Sequence, residues 1–254
     1  MHLTGPTRYA SSLFRACQPG SHVAMNDRQQ LLKALLGRID AARVAPEARL
    51  PGERELAQSF GASRSSVREA LGVLEVLRLI ERRPQSGVYV RPAIPESSVE
   101  AFVLQEALDV RSSTADYDQA QEARIIHEVE AVRLATKRRS PADLAALHSI
   151  IEKSRANLRE GRNLADDDEA FHLALIGAAK NPILVRIGKS LYLMTHSVRH
   201  TYFESAGSGA QSIKEHVKIL EAVTRRDAAQ ATKLVRRHYA GSSARWRRVH
   251  QAGH

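Results

Sequence analysis

The segment over residues 50–92 constrains the fold of this chain more than any other part of the sequence. It begins with a loop at residues 50–52 and then predicts a short helix over Glu53–Phe60. Gly61 is expected to end this helix, because glycine adopts the left-handed conformation of a helix C-terminus without strain. Ser63 is expected to cap the next helix with its side-chain oxygen. A basic stretch containing Gly87 then leads into alternating apolar residues and predicts a two-stranded hairpin.

The second of these helices has two chemically different faces. Its apolar face repeats at helical spacing and consists of Val67, Ala70, Leu71, Leu74 and Leu77. Its N-terminal, opposite face offers hydrogen-bond donors without an acid, namely Arg64, Ser65, Ser66 and Arg68. A helix that packs on one side and presents donors on the other suits the DNA major groove. The hairpin that follows has the form of a DNA-binding wing.

The order and spacing of these residues resemble the winged helix-turn-helix of the GntR family of bacterial transcription regulators. The resemblance is carried by Leu50-Pro51-x-Glu53-Arg54-x-Leu56-Ala57, by Ser63-Arg64-x-x-Val67-Arg68-Glu69-Ala70-Leu71, and by Leu79-Ile80 with Ser86-Gly87-x-x-Val90. The alternative interpretation is a generic three-helix core with surface arginines. Several blocks in the right order make that alternative the weaker of the two.

The GntR resemblance implies three kinds of DNA contact. Base contacts are expected from arginines, which bind the O6 and N7 atoms of guanine with two hydrogen bonds, and the candidates are Arg54, Arg64 and Arg68. Phosphate contacts that fix the register are expected from Ser63, Ser65 and Ser66. The wing, with Gly87 near its tip, is expected to approach the minor groove.

The rest of the chain divides into segments by composition. Residues 1–26 are rich in small and polar residues and predict a flexible extension, so Met25 is a second candidate for the natural start. Residues 27–43 predict an amphipathic helix, the first of a winged helix-turn-helix domain over residues 27–92. Pro92 and Pro95 exclude helix and mark a linker at residues 93–96. Residues 97–250 predict an all-helical domain, so the fold class is mainly α.

About seven helices are expected in this second domain. They are placed at about 97–111, 115–139, 141–161, 164–180, 182–203 and 212–225, with the last beginning after Asp227. Ser140 is the expected cap of the third helix, and Pro141 occupies its first helical position. Residues 205–211 are expected to form a Gly/Ser loop.

Charge and cysteine content narrow the class of protein. The chain has 38 Lys and Arg against 28 Asp and Glu, and a net charge of +10 favours a polyanionic partner. This positive charge is spread along the chain. The prediction of DNA binding therefore rests on the winged helix-turn-helix motif and not on the net charge. The single cysteine, Cys17, cannot form a disulfide within the chain, which favours a reducing compartment. Because no membrane span or secretory signal is recognised either, we expect a cytoplasmic protein.

Four residues with metal-binding side chains fall on helix faces that are expected to be buried: Asp168, His172, His216 and His238. Asp168 and His172 are four residues apart and share one helix face. Carboxylate and neutral imidazole suit Zn²⁺, Ni²⁺ or a similar divalent ion. The alternative is a set of ordinary buried histidines beside a surface run of acids, because no compact metal motif is present.

The same region resembles the FCD-type effector domain of the FadR subfamily of GntR regulators. The resemblance is carried by Asp168-x-x-Phe171-His172-x-x-Leu175, by Ala178-Ala179-x-Asn181-Pro182, and by His216-x-x-Ile219-x-x-Ala222 with Asp227, Ala231 and His238. It implies an effector-binding and dimerisation domain that holds a divalent metal through one Asp and three His. Those roles fall on the four residues above, with Mn²⁺ as a third candidate metal.

The FCD resemblance also implies that Arg124 faces an effector pocket. A guanidinium binds a carboxylate with two parallel hydrogen bonds, so a small carboxylate is the expected effector. The alternative for Arg124 is a surface ion pair with Glu128, four residues later. His127 stands where many relatives have an apolar residue, so the lining of the effector pocket does not follow from the resemblance. For His196 and His200 the preferred interpretation is a solvated or supporting pair, ranked below the four residues, and the alternatives are rival metal ligands or cavity-lining residues.

Three functions are compatible with these features. The leading hypothesis is a homodimeric transcription regulator, acting as a repressor, whose affinity for double-stranded operator DNA changes when a carboxylate binds beside the metal. The second is a metal-dependent enzyme acting on a small carboxylate, with an accessory winged helix. No catalytic motif accompanies the ligands, so we expect no enzyme. The third is an architectural DNA-binding protein, which would not need buried histidines.

Overall fold

A computed structural model describes residues 24–42, 48–91, 98–108, 110 and 114–251. Most of the expected N-terminal extension, including Cys17, and the expected linker at residues 93–96 lie outside the described residues. The chain divides into two compact units, Met1–Ser112 and Ser113–His254. Among the described residues, no helix combines the length and apolarity needed to cross a membrane.

The first unit contains a three-stranded sheet and four helices in its described part. In chain order these are α1 (Ala24–Ala42), β1 (Arg49–Leu50), α2 (Glu53–Phe60), α3 (Arg64–Val76), β2 (Ile80–Arg83), β3 (Gly87–Val90) and α4 (Val99–Ala107). The strands are antiparallel in the order β1-β3-β2, with Ile80 opposite Val90. The two short helices and the hairpin are confirmed. The sequence interpretation missed β1, having treated Leu50 as part of a loop.

Local capping sets the turn between α2 and α3, as expected. Gly61 has a φ of +61°, and its N–H faces the carbonyls of Ala57 and Gln58. The Oγ atom of Ser63 accepts a hydrogen bond of 3.0 Å from the N–H of Ser66. The apolar face of α3 is buried and packs against α1 in one core, which includes Leu35, Leu36, Ile39, Val67, Ala70, Leu71, Leu74 and Leu77.

Helix α4 packs on the first unit rather than opening the helical domain. The N–H of Ser98, which caps α4, donates to the carbonyl of Leu77 at 3.1 Å. Ala101 and Leu108 belong to the same apolar core as α1 and α3. The sequence interpretation began the second domain at residue 97, because the linker prolines precede it. In the structure, α4 belongs to the first of the two compact units.

Seven helices make up the described part of the second unit. They are α5 (Thr114–Arg138), α6 (Pro141–Arg159), α7 (Ala165–Gly177), α8 (Pro182–Leu193), α9 (His196–Glu204), α10 (Ser208–Thr224) and α11 (Ala228–Gln251). The mainly α fold class is confirmed. The helix count agrees only in number, because the expected first helix of this domain is α4 of the first unit. The expected fifth helix, however, is two helices, divided at Met194 and Thr195.

Helix α10 begins at Ser208, inside the segment that the sequence interpretation assigned to a loop. Gly207 precedes it with a φ of +79°, which favours glycine. Gly209 is buried, and a Cβ atom there would lie 2.9 Å from Cδ1 of Leu164. The glycines therefore allow α10 to start early and to pack closely on the residue preceding α7.

The apolar core of the second unit comes mainly from α5, α6, α7, α10 and α11. Beside it lies an unusual number of buried polar side chains, including Arg124, Glu128, Asp168, His172, Thr195, Arg199, Ser212, His216 and His238. Burying polar groups is costly unless they are paired or bind a ligand. These buried polar residues therefore indicate the location of a functional site.

Replacing Ser140 with alanine is expected to lower the free energy of unfolding by about 0.5–2 kcal/mol. Ser140 caps α6 by accepting from the N–H of Asp143, whose carboxylate accepts in turn from the N–H of Ser140 at 2.7 Å. Chemical denaturation measures the loss. Ser149→Ala, at an exposed position inside α6, removes no cap and serves as the control. An equal loss in both variants would contradict the capping role.

Candidate metal centre

Four buried side chains converge from three helices. Helix α7 supplies Asp168 and His172, α10 supplies His216, and α11 supplies His238. One donor atom from each residue lies within 4.8 Å of those from the other three. The structure therefore brings together the four residues that the sequence singled out.

The distances between donor atoms are close to those of ligands around one ion. The Nε2 atoms of His172 and His238 are 3.2 Å apart. Oδ1 of Asp168 lies 3.4 Å from Nε2 of His216, 3.6 Å from that of His172 and 4.0 Å from that of His238. Ligands bound to one zinc ion at about 2.0–2.2 Å are roughly 3–3.5 Å apart. Small adjustments would therefore let all four share one ion.

Two glutamates that the sequence interpretation did not single out orient these histidines. Oε2 of Glu128 lies 2.8 Å from Nδ1 of His172, and Oε2 of Glu215 lies 2.7 Å from Nδ1 of His238. A carboxylate can only accept there, so the network places a proton on each Nδ1 and leaves Nε2 facing the centre. Glu128 also accepts from the hydroxyls of Tyr192 and Tyr239, at 2.5 and 2.6 Å.

The electrostatics at the Nε2 atoms favour a cation. Burial alone would lower the pKa of His172, but Glu128 and Asp168 outweigh it and raise that pKa to about 9. Burial would raise the pKa of Asp168, yet His172 and His216 hold it well below its usual range. The environment that retains a proton on His172 equally suits a metal ion at the same nitrogen.

Burial lowers the pKa of His216 to about 4, which keeps this ring neutral and able to bind a metal near pH 7. His216 stacks on the ring of Phe171, with 4.0 Å between the centroids. Around the centre, four carboxylates (Asp168, Glu128, Glu169 and Glu215) meet two guanidinium groups, those of Arg124 and Arg199. A divalent cation would balance this charge, and a carboxylate with three imidazoles suits a borderline metal.

A cavity opens beside this centre and includes Asp168 and His238 in its wall. Water-sized molecules can occupy about 60 Å³ of it, whereas one bound water needs roughly 10–15 Å³. A small organic ligand therefore fits. The lining consists of Tyr117, Asp118, Gln121, Arg124, Asp168, Thr195, Val198, Arg199, Tyr202, Phe203 and His238.

Arg124 lies buried in the wall of this cavity and forms no surface ion pair with Glu128. Its Nη2 donates to the hydroxyl of Tyr192 at 2.9 Å, and its Nε donates to that of Tyr239 at 3.1 Å. Its guanidinium carbon lies 3.9 Å from the centroid of the Tyr192 ring, within cation–π range. Its Nη2 is also 3.9 Å from Oδ2 of Asp168. Arg124 therefore lies between the cavity and the four converging side chains.

Arg199 is a second guanidinium in the wall, and the sequence interpretation missed it. Its Nη2 donates to Glu169 at 2.5 Å, and its Nη1 donates to the carbonyl of Ala165 at 2.6 Å. A signal was present, because Arg199 shares one helical face with Val198 and Tyr202. The sequence interpretation considered only its neighbours in the same helix, His196 and His200.

The other three histidines discussed from the sequence, His127, His196 and His200, lie outside the cluster of four converging side chains. His127 packs on α8, where a Cβ atom on Gly188 would lie 3.2 Å from its Cε1. It is not among the described residues that line the cavity. His196 and His200 contact each other, with ring centroids 4.4 Å apart. They neither join the buried cluster nor line its cavity within the described part of the chain.

The candidate DNA-contacting residues of α2 and α3 are exposed: Arg54, Ser63, Arg64, Ser65, Ser66 and Arg68. Arg68 is held by Glu53, with Nη2 3.0 Å and Nε 3.1 Å from Oε2. Arg54 and Arg64 make no such contact with the described residues. In the wing, Gly87 has a φ of +129°, a conformation strained for other residues.

Comparison with known proteins agrees with this architecture. Residues 28–90 match the family described as bacterial regulatory proteins, gntR family, and residues 119–241 match the FCD domain. The galactonate operon transcriptional repressor of Escherichia coli K12 is 24% identical, and the match covers 89% of this chain and 100% of that protein. The uncharacterized HTH-type transcriptional regulator YieP of the same organism is 31% identical, over 80% and 88% of the two chains.

A solved structure gives the same fold. It is described by the words "Lar controls the expression of the Listeria monocytogenes agr system and mediates virulence". Its chain is 23% identical, with a TM-score of 0.60, and the match covers 87% of this chain and 96% of that chain.

Proposed function

Because the chain belongs to the GntR family of bacterial regulatory proteins, and is a transcriptional regulator and not an enzyme, we propose that a small carboxylate controls its affinity for operator DNA. The carboxylate would bind beside a divalent metal in the second unit. One observation carries the proposal: four metal-binding side chains converge at a cavity whose wall also holds two guanidinium groups. Repression is the proposed sense of regulation, as one relative is named a repressor.

The metal would be held by Asp168, His172, His216 and His238. Glu128 and Glu215 support this assignment because they orient two of the imidazoles, as outer carboxylates do at metal sites. Zn²⁺ and Ni²⁺ suit the donor set best, with Mn²⁺ as the third candidate. The metal would supply a positive charge, and open coordination positions, at the inner end of the cavity.

The effector would bind with its carboxylate towards Arg124 and the metal. Arg124 is in the cavity wall and 3.9 Å from Asp168, so one carboxylate can contact both the guanidinium and a bound ion. Arg199 adds a second cation 4.0 Å from Oδ2 of Asp168. Galactonate, named in the relative's operon, is itself a carboxylate and supports this ligand class.

The first unit would read DNA, and the second would bind the effector and form a homodimer in the cytoplasm. A dimer would set two α3 helices into neighbouring major grooves of a two-fold symmetric operator, about 34–36 Å apart. Arg54 and Arg64 would contact bases, as would Arg68 once released from Glu53. The serines at the start of α3 would hold phosphates, and the wing around Gly87 would enter the minor groove.

Arg64→Ala is expected to cost about 1–3 kcal/mol of binding free energy at one base position of the operator, and to relax specificity there. The exposed side chain of Arg64 contacts no described protein group, so its removal should leave folding unchanged. Fluorescence anisotropy with a series of single-base operator variants measures the effect. An equal loss on random DNA would show that Arg64 binds only phosphate.

The proposed function is tested by a thermal-shift screen of small carboxylates, galactonate among them, on metal-loaded and chelator-treated protein. An acid that raises the melting temperature only when metal is present is then titrated against upstream DNA. Its affinity for DNA should change by about 5–150-fold, the usual range of coupling between two sites. An acid that binds through the metal without changing DNA affinity would refute effector control.

A further inference from the structure

A second cluster of metal-binding side chains lies where α7 meets α9. Asp166 stands in the first turn of α7, while His196 and His200 stand one turn apart in α9. One donor atom from each of the three lies within 4.8 Å of the other two. The cluster is distinct from the buried centre, because none of its members is among the four converging residues.

The contact between His200 and Asp166 is not an ordinary hydrogen bond. Nε2 of His200 lies 3.4 Å from Oδ1 of Asp166 and is shielded from solvent. Even so, it makes no hydrogen bond with acceptable geometry in the described part of the chain. A ring nitrogen that faces a carboxylate without donating to it is free to bind a metal ion together with that carboxylate, and His196 lies beside this pair.

We propose that Asp166, His196 and His200 form a second site for a borderline divalent cation such as Zn²⁺. Two imidazoles and a carboxylate are a suitable donor set. The side chain of Asp166 is 81% exposed, so an ion can enter from solvent and keep water in its remaining positions. The charge of Arg199 disfavours a cation at His196, but Asp166 and Glu169 counteract it, and the guanidinium of Arg199 is buried and paired with Glu169.

Such an ion would join two helices that build the effector cavity. Thr195, Val198 and Arg199, at the start of α9, line the cavity. Asp168, on α7 with Asp166, belongs both to the cavity and to the buried centre. An ion on the outer surface would therefore fasten one cavity wall to the helix that carries the inner ligands.

The test is a zinc titration of the full chain against a chromophoric chelator. The double variant His196→Ala/His200→Ala is expected to bind one equivalent fewer than the wild type. His148→Ala, which removes another exposed histidine, is expected to bind as many equivalents as the wild type. Equal stoichiometry in the double variant and the wild type would overturn the proposal, whatever the buried centre binds.

Two further variants keep the result interpretable. Because Asp166 is exposed, Asp166→Ala leaves packing intact. It should lower the affinity for this zinc ion by about tenfold or more, since loss of even a supporting carboxylate does so at metal sites. Asp168→Asn, which alters the buried centre, should leave the zinc equivalent of the surface site in place. In hydrogen exchange, zinc should slow the amides of α9 in the wild type and in Asp168→Asn. Unchanged exchange in both proteins would refute the link between α7 and α9.

Discussion

Adding Zn²⁺ to chelator-treated protein is expected to raise the free energy of unfolding by about 2.7 kcal/mol at a hundredfold excess over the Kd, and about 4.1 kcal/mol at a thousandfold excess. The lower figure corresponds to a rise in Tm of roughly 5–10 °C for a domain of this size. The reason is that Asp168 and the three histidines come within 4.8 Å of one another only in the folded chain. Differential scanning fluorimetry with and without EDTA measures the rise.

The buried centre is isolated by working in the His196→Ala/His200→Ala background, where the proposed surface site has lost both of its imidazoles. Asp168→Asn removes the carboxylate ligand but keeps the side-chain shape, and should abolish most of the zinc-dependent rise. His148→Ala should retain it, because this exposed histidine is remote from the cluster. Each variant is compared with itself after chelation, so intrinsic stability does not enter. An undiminished rise in Asp168→Asn would show that the metal lies elsewhere.

The sequence predicted those elements whose ends are set by local chemistry. The bounds of α2 follow from Gly61 and those of α3 from Ser63, which act on backbone groups within a few residues. The two-residue strand β1 depends instead on pairing with β3, about forty residues later, and has no periodicity of its own. The break between α8 and α9 carries no Gly or Pro. There Thr195 bonds back to the carbonyl of Leu191 and accepts from Arg124, a tertiary contact.

The four converging residues were predictable because their side chains are chemically distinctive and lie on apolar helix faces. Their supporting residues were not, because their roles depend on distances between helices. Glu215 precedes His216 in sequence, yet it bonds His238 on α11. Glu128 is four residues from Arg124, and this spacing suggested a surface ion pair. Instead both are buried, and the hydroxyl of Tyr192 bridges them.

Arg124→Ala is expected to abolish stabilisation by any carboxylate that binds in the cavity, and to lower the free energy of unfolding by about 3–5 kcal/mol. Arg124 is buried near Glu128 and Asp168, so its removal leaves two carboxylates without their nearest guanidinium in a medium that solvates charge poorly. Urea denaturation measures the stability. The thermal shift of metal-loaded protein with the acid measures the response to the ligand.

Two substitutions separate the stabilising role of Arg124 from its proposed role in ligand binding. Arg124→Lys keeps the charge but loses the planar pair of donors, so it should recover much of the stability without the carboxylate response. Arg133→Ala, at an exposed position on the same helix, removes an ion pair with Glu130 and should change stability by about 0–1 kcal/mol. Its carboxylate response should match the wild type. If Arg124→Lys also responds like the wild type, a single positive charge suffices there, and the two-donor contact must come from Arg199 or be absent.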